Sequence, residues 1–143
     1  RYRYQYARAL GVNAPDKAIP IYRQLIQEHY PAAYDNLGNI FLRRRDMRSA
    51  IAVLKAGVEA EDPDSMVTLA DLIERRFVPV TNPVGAKYAL LERAARLGHA
   101  GAKSAIERLQ SEQNSVQQRA FQQQHEQQMM LDVLGTIVRG IAR

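Results

Sequence analysis

The sequence contains no cysteine, which removes disulfides, thiolate nucleophiles and cysteine-ligated zinc together. That absence leaves the compartment open, because cytoplasmic and periplasmic chains alike can lack cysteine. No apolar run approaches the ~20 residues that a helix needs to span a bilayer, so no transmembrane span is expected. Alternating Val/Ile stretches are scarce, which argues against a sheet protein. Catalytic signatures are missing too: no His-Glu-x-x-His pair, no phosphate-cradling glycine loop with Lys and Ser/Thr, and no nucleophile elbow. His29, His99 and His125 lie far apart, with no carboxylate or second histidine at ligand spacing. Carboxylates do cluster at Glu59, Glu61, Asp62 and Asp64, but at a helix-to-helix turn, where they read as an N-cap rather than an acid/base pair. The expectation is a protein that is not an enzyme and takes no metal or cofactor.

With 143 residues there is room for one domain burying roughly two-thirds of its unfolded surface. The net charge of +5 is unevenly placed: residues 1–110 hold 17 Lys/Arg against 12 Asp/Glu, and residues 111–143 hold three of each. A mildly basic body favours acidic partners. It falls short of a nucleic-acid footprint and lacks the aromatic interleaving that base stacking requires, so no nucleic-acid partner is expected. The start at Arg1, without an initiator Met, suggests a fragment or processed form.

What is present is a repeat. Ala18 and Ala50, Pro31 and Pro63, Leu37 and Leu69, and Gly38 and Ala70 are each 32 residues apart. Each unit carries two amphipathic helices and cannot bury its own apolar face, so units must stack; this predicts an all-α solenoid. Helices are predicted over about 2–10 (closed by Gly11), 15–30, 31–44, 47–60, 63–76 and 83–97, with a seventh starting near Ala100. The second carries Ala18, Ile21, Tyr22, Leu25 and Ile26 inward, and Pro20 lies near its first turn, where proline costs least. Asp46 and the turn before Pro63 supply N-terminal signals for the fourth and fifth. Small residues at Ala18, Gly38, Ala50 and Ala70 let helices approach closely, while Tyr34, Phe41 and Leu54 fill the space between them. Tyr2, Tyr4 and Tyr6 alternate in a strand-like way, but length and context favour a helix.

Segment 33–63 resembles a tetratricopeptide repeat through Tyr34, Leu37, Gly38, Phe41, Asp46, Ala50, Leu54 and Pro63. Arg45 replaces the usual turn glycine, and Gly57 the usual alanine. The later unit resembles the Sel1-like variant through Asn82, Ala86, Ala94, Ala95, Gly98, His99 and Ala100, with a longer loop before its second helix. The resemblance covers roughly residues 2–110 and is of a bacterial type, leaving periplasm and cytoplasm both open. It implies a protein–protein interaction adaptor whose first helices of each pair line a concave face. Asp35, Asn39, Leu42 and Arg43, with Val67, Asp71, Glu74 and Arg75, would then form a ladder suited to an acidic or amide-rich protein segment. The other reading of Arg43, Arg44, Arg45, Arg75 and Arg76 is that they are solvated cations offsetting helix C-termini. The family also includes inhibitors of the bacterial immunity type, which neutralise a cognate toxin enzyme, and regulatory or assembly components of envelope and secretion systems.

Residues 111–143 form a second region, rich in glutamine. Glutamine is a reasonable helix former, and neither Gly nor Pro interrupts 111–128. A 3,4 spacing runs through Ile106, Leu109, Gln113, Val116, Ala120, Gln123, Gln127, Met130, Leu134, Ile137 and Ile141, a coiled-coil seam with a polar middle. A single helix over 100–142 would be ~65 Å long. Its apolar end, centred on Met130, Leu134, Ile137 and Ile141, calls for a cover: a second chain in a homodimer, the repeat body, or a membrane or partner surface.

Overall fold

Residues 1–142 are described by a computed structural model. Seven helices follow one another: α1 Tyr2–Asn13, α2 Pro15–Gln27, α3 Ala33–Arg43, α4 Met47–Glu59, α5 Pro63–Glu74, α6 Pro83–Arg96 and α7 Ala100–Ile141. No strand occurs among the described residues. The chain divides into two compact units, residues 1–106 and the segment from Glu107 onward. In the first unit each of α1 to α6 packs on its neighbours in sequence, and α1 also touches α3, as α3 touches α5.

Helices α4, α5 and α6 start where side-chain caps are available. Asp46 accepts from the Ser49 N–H at 3.2 Å, Asp62 from the Ser65 N–H at 3.1 Å, and Asn82 from the Gly85 N–H at 3.0 Å, each satisfying an orphan donor. Pro15, Pro63 and Pro83 stand at the first helical positions, where a missing N–H costs nothing. Each of the turns ending α2 to α6 has one geometry. His29, Arg45, Glu61, Arg76 and Gly98 take φ of 59°, 60°, 59°, 63° and 90°. The following N–H reaches back five residues, as from Asp46 to the Phe41 carbonyl and from Phe77 to the Leu72 carbonyl. This is the paired closure that ends helices with a left-handed residue, here built four times without glycine.

Packing explains the small residues. A Cβ added at Gly38 would lie 2.8 Å from the Leu54 side chain, and one at Gly57 would lie 2.7 Å from the Ser65 Cβ and 2.8 Å from the Tyr34 Cβ. Leu54 is completely buried. Position 57 takes glycine because α5 and α3 leave no room for a methyl group. Around α1 to α3 a core forms from Ala7, Ala18, Tyr22, Leu25, Ala33, Leu37 and Ile40. Burial pushes the Tyr22 phenol up to about 12, so it packs as a neutral ring.

Two expectations need correction. Gly11 does not end the first helix, which runs on to Asn13; it is buried inside it, 3.9 Å from Ile40 on α3 if a Cβ were present. A side-chain methyl there would make only ordinary van der Waals contacts, so Gly11 neither ends the helix nor is demanded by crowding. On α6 only Leu91 and Ala94 are buried, with Ala86, Leu90 and Ala95 half-buried, because α5 is the one helix among α1 to α5 that covers it. The tyrosine alternation resolves as helical: Tyr4 turns inward against Tyr22 and Tyr30 at ring separations of 6.4 and 5.0 Å, while Tyr2 and Tyr6 are exposed.

Replacing Gly57 with alanine is expected to destabilise the first unit by about 1–3 kcal/mol, since the crowding atoms are close to backbone and cannot swing away. Chemical denaturation followed by circular dichroism checks this; an unchanged midpoint would mean the α4–α5 approach is looser than described.

Candidate functional site

The odd-numbered helices are tied together by side chains about one repeat apart. Asn36 donates to the Tyr4 hydroxyl at 3.0 Å, Arg43 to the Gly11 carbonyl at 2.8 Å, and Thr68 to Asp35 Oδ1 at 2.6 Å. The separations are 32, 32 and 33 residues, so successive units use corresponding positions to hold α1 to α3 and α3 to α5.

Between these helices lie two concavities. The larger, of about 1020 Å³, is formed by Asn39 and Leu42 of α3, Arg45 and Met47 beyond it, Val67, Thr68, Asp71, Leu72 and Arg75 along α5, and Phe77. The smaller, of about 340 Å³, lies between α1 and α3 and includes Arg8, Gly11, Asn36, Asn39, Leu42 and Arg43. Asn39 and Leu42 border both. The first joins an apolar floor to a rim of two arginines and one carboxylate; the second is more polar and basic. Such a lining can hold a protein segment by apolar contact while guanidinium groups take up its carboxylates or carbonyls.

The residues expected to line this face have different fates. Asn39, Leu42, Val67, Asp71 and Arg75 come together in the larger concavity, and Arg43 joins Asn39 and Leu42 in the smaller. Arg43 also braces α3 on α1 through Gly11. Asp35 is held inside the α3–α5 contact, accepting from Thr68 and, at 2.8 Å, from Asn39. Glu74 is turned to α6, where it pairs with Lys87 at 2.8 Å. Arg43 and Arg75 therefore occupy neighbouring concavities rather than one shared cluster.

Arg75 is the more available cation. Its 3.4 Å ion pair with Asp71 is long and exposed, and its guanidinium lies 5.2 Å from the centre of the Phe77 ring. Arg45, Met47, Thr68, Leu72 and Phe77 are lining residues that the periodicity did not single out. The signal for Arg45 was present in its substitution for a turn glycine. Phe77 read as the start of a connection, whereas it closes the α5 turn and faces back over Arg75.

His99 is a cap: its Nδ1 accepts from the Ala102 N–H at 3.0 Å and its Nε2 lies 3.0 Å from Asp64. No group of three or more His, Asp or Glu side chains that could hold a metal occurs among the described residues. In the second unit Met130, Leu134, Ile137 and Ile141 are 66%, 51%, 51% and 80% exposed. No helix is long and apolar enough to cross a membrane among the described residues.

Burial raises the Asp35 carboxyl above its ordinary value, assisted by the nearby charges of Asp62 and Asp64 and opposed by the Thr68 and Asn39 hydrogen bonds. A carboxyl raised in the folded state binds its proton more readily there, so its stabilising contribution is present below pH ~3.9 and is lost as pH rises through the folded value. Asp35→Asn should therefore gain stability relative to the parent as pH increases from 3 towards 7, measured by urea unfolding; a variant-minus-parent difference that falls over that range contradicts the assignment. Arg45→Gly should raise stability by about 1 kcal/mol, because glycine removes the left-handed cost. A lower unfolding midpoint would show that the arginine is doing structural work at this turn.

No family model matches the chain, and neither does any curated protein or solved structure.

Proposed function

We propose that the chain is a tetratricopeptide/Sel1-like α-solenoid serving as a protein-interaction adaptor, which holds an acidic or amide-rich segment of another protein between its odd-numbered helices. The observation that carries this reading is the repeated link between those helices: corresponding positions, 32 or 33 residues apart, join α1 to α3 and α3 to α5, leaving a concavity beside each join. A surface that repeats with the chain suits an extended partner, which also repeats along its length. The rim chemistry agrees, since Arg45 and Arg75 outnumber Asp71 around an apolar floor of Leu42, Val67 and Leu72.

Exposed Met130, Leu134, Ile137 and Ile141 support a second element of the proposal: the C-terminal segment associates with its own copy. A wide apolar stripe on an isolated helix has no stabilising contact of its own, and pairing removes that surface from water.

The test of the groove separates binding from folding. Affinity capture from the native organism with Arg75→Glu as bait should lose the partner retained by the parent chain, while its melting temperature stays within about 2 °C because both contacts of Arg75, the long pair with Asp71 and the Phe77 ring, are solvent-exposed. Arg43→Glu should lower both capture and stability, since it also loses the Gly11 brace. Undiminished capture by the Arg75 variant would remove the groove from the account.

A further inference from the structure

We propose that the segment from Glu107 onward pairs with the same segment of a second copy in an antiparallel register, aligned by Arg119 of each copy against Glu126 of the other. The proposal rests on the self-association reading above and adds its direction and register. Along this segment Val116, Met130 and Leu134 are exposed by 64%, 66% and 51% on one 3,4-spaced stripe. Two rows flank that stripe. One carries every charge beside it between Leu109 and Ile137: Glu112, Arg119 and Glu126, spaced by seven. The other row presents Gln110, Gln117, Gln124 and Leu131 there, all uncharged.

Arg119 and Glu126 form no ion pair among the described residues. They are two turns apart, ~10 Å along one helix axis, too far to meet within it. In a parallel pair each charged row would face the uncharged row of its neighbour, placing Glu126 against Leu131 of the second copy. In an antiparallel pair like rows face each other. Setting Leu109 opposite Leu134 of the second copy then sets Val116 opposite Gln127 and Ala120 opposite Gln123. In that register Arg119 faces Glu126, and the two-fold axis repeats the pair. The leucine layers seal both ends of a glutamine-rich middle. Exposed ion pairs of this kind contribute little strength individually, so the apolar layers hold the dimer while the charges choose its direction.

The chain has no cysteine, so engineered thiols report cleanly. Chains carrying Val116→Cys and chains carrying Gln127→Cys should give a mixed disulfide when combined under mild oxidation. Val116→Cys alone should not cross-link, since its two copies would stand ~16 Å apart along the axis, beyond disulfide reach. In sedimentation equilibrium, Glu126→Arg should weaken dimerisation about tenfold by turning two attractions into repulsions, and adding Arg119→Glu should restore it. Helical content by circular dichroism verifies that each variant remains folded. A Val116→Cys homodisulfide in a dimeric protein, or indifference of the dimer to Glu126→Arg, overturns the antiparallel register and leaves self-association standing. A parent chain that stays monomeric at 100 µM overturns both.

Discussion

Helix α4 can lie against α3 and α5 only because Gly38 and Gly57 lack side chains. Leu54 fills the space over Gly38, and the backbone-proximal atoms of Ser65 and Tyr34 close over Gly57. Protein interiors pack at crystal-like density, so a methyl group at 57 displaces a helix rather than a side-chain tip, while one at 38 forces the buried Leu54 side chain to shift. The rest of the first unit follows from that approach. With α4 fixed between its neighbours, α3 and α5 come into contact, Thr68 reaches Asp35, and the concavity beside them acquires its floor.

The turns make a second contribution, at a cost. Four of the five left-handed turn residues carry side chains, and each position would be easier for glycine. Arg45 stands at the rim of the larger concavity, and Arg76 directly follows Arg75. An arginine kept where the backbone prefers glycine is a local strain at the surface proposed for binding, and such strain is concentrated at functional places in proteins. The turn tolerates the side chain because the neighbouring N–H groups are satisfied.

Most of the helix order was legible because the signals were redundant. Apolar stripes, N-terminal prolines and the caps at Asp46 and before Pro63 agree with one another. Gly11 was misleading because a glycine that often marks a helix end can also be carried inside one, as it is within α1. Among the site residues, periodicity separates inward from outward positions but says nothing of a side chain's partner. Asp35 and Glu74 sit on the expected helices, yet one is held by Thr68 and the other by Lys87, contacts made by residues more than ten positions away. Phe77 escaped notice for the same reason: its place over Arg75 depends on a turn whose left-handed residue is an arginine.

The central claim is that a partner lies along the α3–α5 side of the first unit rather than on its back, where Ala52, Val53 and Ala56 border a separate shallow concavity. Photo-crosslinking side chains placed singly at Leu42, Val67 and Ala56 test it most directly in the native complex. The account predicts partner adducts from positions 42 and 67 and none from 56. Adducts from 56 alone would contradict it.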